Sequence, residues 1–248
     1  LMFQDYVYQN LHFDGELKKR FFLGNIIFDD ENGKLNAQGS FDWDKNEPKF
    51  KFMAEIVGFN PYKTNLTKSY PDLAFNFKAN SDFTGGDLDN MNGFFEIFDI
   101  NLKNAEKEYT LDKVRLSSDD IATNTHQMSV QSDIINGYIT GSFIFKSLKN
   151  SILNLVKEYI PSSLGRKEKH TAQNNFIYNV NITKLEPLCN FLDIDWTTND
   201  SINISGFYND IKNDIAFNLN IPSIIKKGGK TSFKGLNIRL ANDDKQLY

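Results

Sequence analysis

Two acidic runs and three histidines mark where this chain of 248 residues could do chemistry. "DLDNMNG", residues 87–93, resembles a calcium loop, in which oxygen ligands alternate along a twelve-residue turn. Counted from Asp87, however, Met91 falls on a ligand place, Gly93 arrives one residue late, and Phe98 stands where the bidentate Glu belongs. Calcium is not expected there. "DIDW", residues 193–196, sets Asp193 and Asp195 beside Trp196, the residue types of a glycosidase. No partner carboxylate can be named, so the run reads as a loop. His12, His126 and His170 are far apart, and the first two sit in alternating stretches as surface or rim residues. There is no nucleophile elbow, HExxH or CxxC. "KKGGK", 226–230, could hold a phosphate but reads better as a hairpin turn. Arg166, Lys167, Lys169 and His170 could meet anionic headgroups, but with Glu168 among them they read as a solvated linker. A non-enzymatic chain without metal or cofactor is expected.

The totals narrow the class further. A net charge of −4 speaks against a nucleic-acid binder, which needs a basic face. Twenty-two Phe against four Met and two Trp promise an interior built largely of phenyl rings. No run approaches the roughly 20 apolar residues of a membrane-spanning helix. The single Cys189 excludes an intramolecular disulfide framework. The start at Leu1, with no leader, is read as an excised piece or a mature form.

The elements that would position any site are mostly strands. Period-two alternation predicts them at 22–29, 34–43, 49–57, 73–79, 93–102, 109–117, 126–132 and 135–146, then at 174–183, 202–208, 213–221 and 232–240. Asn32-Gly33 predicts a tight hairpin. A helix is predicted over 147–160, with Leu148, Ile152, Leu155, Val156, Tyr159 and Ile160 on one face, Ser147 as N-cap and Pro161 as stop. A shorter one is expected at 186–195, with Pro187 in its first turn. Three segments follow: β residues 1–146, a helix and polar loop at 147–173, and β residues 174–248.

One pattern recurs without a fixed period: apolar residues of one parity with a glycine among them. It runs Leu11, Phe13, Gly15, Leu17; Leu35, Ala37, Gly39, Phe41; Ile139, Gly141, Phe143; and Ile202, Ile204, Gly206, Tyr208, with a looser copy at Met91, Gly93, Phe95, Ile97. Such glycines mark bulges or twist points in a β-sandwich. Alternatively, they let a sheet curl or leave its inner face open.

The stretch "PKFKFMAEIVGFNPYKTNLTKSYPDLAFNFKANSDFTGGDLDNMNGFFEIFDINLKNAEKEYTLDKVRLSS" resembles the middle of TamB proteins of Bacteroidota, in the wider AsmA-like superfamily. The resemblance rests on Gly58-Phe59-Asn60-Pro61-Tyr62, on Gly85 to Leu88, on Asn92-Gly93, and on Tyr109-Thr110-Leu111-Asp112 before Val114 and Leu116. It continues through "INGYITGSFIF", the run Tyr159-Ile160-Pro161-Ser162, and "ISGFYND…IAFNLNIPSI…KKGG". The motifs are diffuse strand patterns over most of the chain. The N-terminal membrane anchor and the C-terminal module of whole family members have no counterpart in it.

The resemblance implies a mainly β fold: a strongly curled antiparallel or mixed sheet forming an elongated hydrophobic groove, with a short amphipathic helical insertion. It implies a periplasmic segment, tethered to the inner membrane in the full-length protein. That segment would carry phospholipid acyl chains between inner and outer membranes and support outer-membrane protein assembly. Its barrel partner would engage the C-terminal region that this chain lacks, and the cut sheet edges would favour self-association. The groove lining is then expected at Phe41, Phe50, Phe52 and Ile56, followed by Phe75, Phe77, Phe95 and Ile97. Further along it comprises Ile139, Phe143 and Phe145, then Phe176, Tyr178 and Val180, and finally Ile204, Phe217 and Leu219. A closed β-sandwich for adhesion or carbohydrate binding gives the same period two. Periodicity leaves both open.

Overall fold

A computed structural model describes residues 2–43, 47–159, 173–228 and 231–242, with side chains omitted at 155, 156, 158 and 159. A two-stranded ribbon pairs β1 (Met2–Phe3) with β2 (Tyr6–Val7). Seven strands follow: β3 (Leu11–Lys18), β4 (Phe21–Asp30), β5 (Gly33–Asp42), β6 (Lys49–Phe59), β7 (Ala74–Thr84), β8 (Asn92–Lys103) and β9 (Glu108–Ala122). Then come β10 (Thr125–Ser132), β11 (Ile135–Ser142), helix α1 (Phe145–Tyr159), β12 (Asn175–Ile182) and helix α2 (Leu185–Phe191). The chain closes with β13 (Trp196–Thr197), β14 (Ile202–Asn209), β15 (Asp214–Lys226) and β16 (Ser232–Ala241).

Among the described residues 14 strands form one large antiparallel sheet, in the order β13-β15-β14-β12-β11-β10 and on through β9 down to β3, with β16 also on β15. The pairing is antiparallel wherever a register is defined, so the mixed sheet allowed for in the sequence is not what forms. The strong curling expected from the resemblance is not seen in the sheet. Contacts divide the chain into two compact units. The first holds Leu1–Gly86, Asn90–Ser117 and Gln131–Asp133; the second holds Asp87–Asp89, Ser118–Val130 and Ile134–Tyr248.

In the first unit, residues directly opposite on neighbouring strands share a face, and the registers stack four rungs on the apolar one. Phe22, Phe41, Phe50 and Phe83 make the first rung. Gly15, Gly24, Gly39, Phe52, Ser81 and Phe95 make the second. Ile26, Ala37, Ala54, Ala79 and Ile97 form the third, and Phe28, Leu35, Ile56 and Phe77 the fourth. Small rungs thus sit between large ones, which lets rings lean across. Phe41 stacks on Phe52 at 5.4 Å and Phe50 on Phe83 at 4.9 Å between centroids.

The glycine rung is filled, not left open. A Cβ on Gly24 would lie 2.5 Å from the Gly15 Cα, and one on Gly39 2.5 Å from the Phe52 Cα. No side chain fits there. In the second unit, Gly141 has φ +143°, and a Cβ on it would lie 2.7 Å from the Phe176 Cα. Gly39, Gly141 and Gly206 each face an aromatic across the ladder, Phe52, Phe176 and Tyr178 respectively. Aromatic packing over a strand glycine offsets the weakness glycine brings.

Two irregularities keep the apolar face apolar where strict parity would flip it. The β6–β7 register shifts between Ile56 and Phe59, around Gly58 at φ 63°. The β7–β8 register shifts between Asn76 and Lys78, opposite Asp99 at φ 52°. Phe59 and Leu102 thereby both pair with Phe75, and Ile100 is buried. At the β4–β5 hairpin Asp30 pairs with Gly33, so Glu31-Asn32 is the loop and Gly33 already belongs to the ladder.

Helix α1 begins at Phe145, two residues before the expected start, and β11 ends at Ser142. The cap is not Ser147. The Asp89 carboxylate accepts from the backbone N–H of Phe145 at 2.6 Å, while Asp87 pairs with the Lys146 ammonium. Ser147 instead donates its hydroxyl to the Ile144 carbonyl at 2.9 Å. The expected Ile160 face residue, the Pro161 stop and the basic loop through His170 lie outside the described residues. Helix α2 is shorter than expected, with Pro187 within its first turn.

Candidate functional site

The expected lining residues in strands of the first unit all fall on the face of the four rungs. Phe75 and Phe77 sit on β7, while Phe95 and Ile97 sit on β8. That face also carries Phe22, Ile26, Phe28, Leu35, Phe59 and Phe83, which sequence reasoning did not include. Phe22 and Phe28 alternate as clearly as Phe50 and Phe52 do, so the signal was present.

In the second unit three rungs repeat the arrangement. Gly141, Phe176, Tyr208 and Ile215 form one; Ile139, Tyr178, Gly206 and Phe217 the next; Gly137, Val180, Ile204 and Leu219 the third. Phe143 lies just beyond β11 and is buried, with its ring 6.2 Å from Phe176. Phe145 corrects the expectation: it opens α1 and does not end a strand, because Asp89 captures its N–H. Its ring still meets Phe143 at 5.2 Å.

At one end of the first unit's apolar face lies a cavity of about 330 Å³. Phe28, Leu35 and Ile56 of the fourth rung, Phe59, and Phe3, Tyr8 and Leu11 from the N-terminal segment line it. Lys34, the sole charged residue among the described residues lining it, has its ammonium 3.0 Å from Asp29. The ribbon that completes the cavity is tied down by a buried carboxylate. Asp30 accepts from the Tyr6 hydroxyl, from the Gln9 N–H at 3.1 Å and from the Asn32 N–H at 3.0 Å. Burial pushes the Asp30 carboxyl up, but these donors outweigh it and hold it below the usual carboxylate range. The Tyr6 phenol is raised, chiefly by burial.

A second polar cluster locks α1 onto the second unit. Asn174 is fully buried; its amide donates to Ser151 Oγ at 2.9 Å and to Ser147 Oγ at 3.2 Å. Its side-chain oxygen accepts from the Ile144 N–H at 2.8 Å, and its own N–H donates to Asp210 at 2.8 Å. Tyr208, beside this cluster, is pushed up to about 12 by burial, with the Asp210 charge adding to it and a hydrogen bond with Ser151 opposing.

The chemistry-bearing residues resolve into structural roles, with one arrangement that sequence reasoning missed. Ser118 Oγ lies 2.7 Å from His126 Nε2, and His126 Nδ1 lies 2.9 Å from Asp120. The order is that of a hydrolase triad, but Ser118 is 0% exposed and its hydroxyl has no surface to offer a substrate. Asp193 and Asp195 remain in a loop, where the Asp195 carbonyl accepts from the Lys227 N–H at 2.7 Å. Among the described residues no cluster of three or more His, Cys, Asp or Glu could hold a metal ion. Comparisons with models of known families, with curated proteins and with solved structures find no match to this chain.

Proposed function

We propose that this chain is a non-enzymatic conduit segment for acyl chains, in which the apolar sheet face bends into a trough for lipid tails. The observation that carries the reading is the hydrocarbon-lined cavity of about 330 Å³ that continues the fourth rung, Phe28, Leu35 and Ile56. The glycine contacts support bending, since strands that approach too closely for a Cβ mark lines along which a sheet folds. The motif resemblance set out above supports the setting: a periplasmic segment of a protein tethered to the inner membrane. It would pass phospholipid between the membranes, support outer-membrane protein assembly, and meet a barrel partner through its C-terminal region.

Tails held by area burial gain about 0.8 kcal/mol per methylene, or about fourfold in affinity. Binding therefore rises with chain length and depends little on headgroup. The test is organic extraction of protein purified without detergent, followed by mass spectrometry and a fatty-acid length series. Co-purified phospholipid and a steep length dependence are expected; lipid-free protein that binds short and long chains alike would refute the reading.

A further inference from the structure

The face opposite the phenyl rungs holds a larger cavity, about 650 Å³, running across β4 to β8 within the first unit. Two rungs border it. Asn25, Gln38, Met53 and Asn80 stand in register on one side. Ser40, the Lys51–Asp82 pair at 2.8 Å, and Phe94 stand on the other. Four steps between strands at about 4.8 Å each make the trough about 19 Å long. Among the described residues the amides of Asn25, Gln38 and Asn80 and the Ser40 hydroxyl have no hydrogen-bond partner in the protein. Elsewhere on the sheet asparagines satisfy one another: Asn76 donates to Asn101 at 3.2 Å and Asn203 to Asn179 at 3.3 Å.

We infer that this trough is a binding site for a neutral oligosaccharide. Side-chain amides both donate and accept, which matches the mixed donor and acceptor character of adjacent sugar hydroxyls. Phe94 and Met53 offer apolar surface to the C–H faces of the rings. Arg115 stacks over Phe94 at 3.9 Å and pairs with Glu96 at 3.3 Å, so one side of that ring is already taken. Each charge bordering the trough is matched by a partner, which disfavours a phosphorylated or strongly anionic chain. The site is independent of the acyl-chain reading, since the two use opposite faces of the sheet.

Calorimetry of the full chain with cellohexaose and with chitohexaose tests it. Binding of at least one is expected, weakened about fivefold or more by Gln38→Ala and again by Asn80→Ala, as loss of one hydrogen bond to a ligand implies. Asn218→Ala, exposed on β15 of the second unit and not lining the trough, should leave it unchanged. Circular dichroism confirms that each variant folds. Three results would overturn the inference: no heat from either sugar at millimolar concentration, equal affinity in the trough variants, or tighter binding of a neutral Asn/Gly-rich peptide that the same variants abolish.

Discussion

Tyr208 and Asp30 show how single buried groups tie the ends of these strands together, and each makes a pH prediction of opposite sign. The Tyr208 phenol is raised to about 12, chiefly by burial, so its contribution to stability is complete below the unfolded value near 10 and is lost as pH rises through 12. Stability of the wild type should fall between pH about 10 and 12, while Tyr208→Phe flattens that limb; denaturant titrations at stepped pH check it. For Asp30 the folded carboxyl is lowered. Its contribution is present above the unfolded value near 4 and is lost as pH falls through the lowered one. Asp30→Asn keeps the shape but weakens an acceptor of three donors. Amide exchange over residues 2–10 should then quicken at neutral pH, with the rest of the sheet unchanged. Neither role could be read in advance, because the partners Tyr6 of Asp30 and Ser151 of Tyr208 are ordinary polar residues until the fold brings them within reach. The Ser118–His126–Asp120 contact escaped notice likewise: its three residues straddle the β9–β10 turn, and only the strand register aligns them.

At the scale of elements, period-two alternation found the longer strands from β4 onward, with ends misplaced by up to five residues, while β3 (Leu11–Lys18) was not among the strands expected. Phe50, Phe52, Ala54 and Ile56 alternate without a break, and all four point to one face. Alternation fails where backbone geometry, not side-chain order, sets the face. Gly58 and Asp99 shift the register, so Phe59 and Ile100 turn inward against the parity of their own strands. The start of α1 failed for a different reason. Its cap, Asp89, lies 56 residues away from Phe145, and a local search could only offer Ser147. Asp89 lies in the run 87–93 that resembles a calcium loop, and its carboxylate caps a helix. Asp89→Ala should destabilise the chain by about 1 kcal/mol, the usual worth of an N-cap, whereas Ser147→Ala should cost less. Gly39→Val is the harsher change. A side chain there meets the Phe52 Cα, and overpacking costs about 1–3 kcal/mol, visible as a lower midpoint in urea.

For the whole molecule the outermost strands matter as much as the faces. The strand order ends at β3, where Phe13 is 63% and Leu17 68% exposed. An unpaired edge of this kind is a template for another chain. Sedimentation should show association that grows with concentration and shrinks in Phe13→Lys, which puts a charge on the edge; a strict monomer at high concentration would contradict it. The central claim concerns the phenyl rungs, and neighbouring residues on opposite faces test it most directly. Phe52 lies on the apolar rung, and Met53, 65% exposed, lies on the other face. A photoreactive benzophenone side chain is placed at one position or the other, the protein is incubated with phospholipid vesicles and irradiated, and adducts are read by mass spectrometry. Acyl-chain adducts from position 52, with few or none from position 53, are the predicted result. Equal labelling at both positions, or none at 52 in a folded chain, would contradict the claim that lipid tails lie on that face.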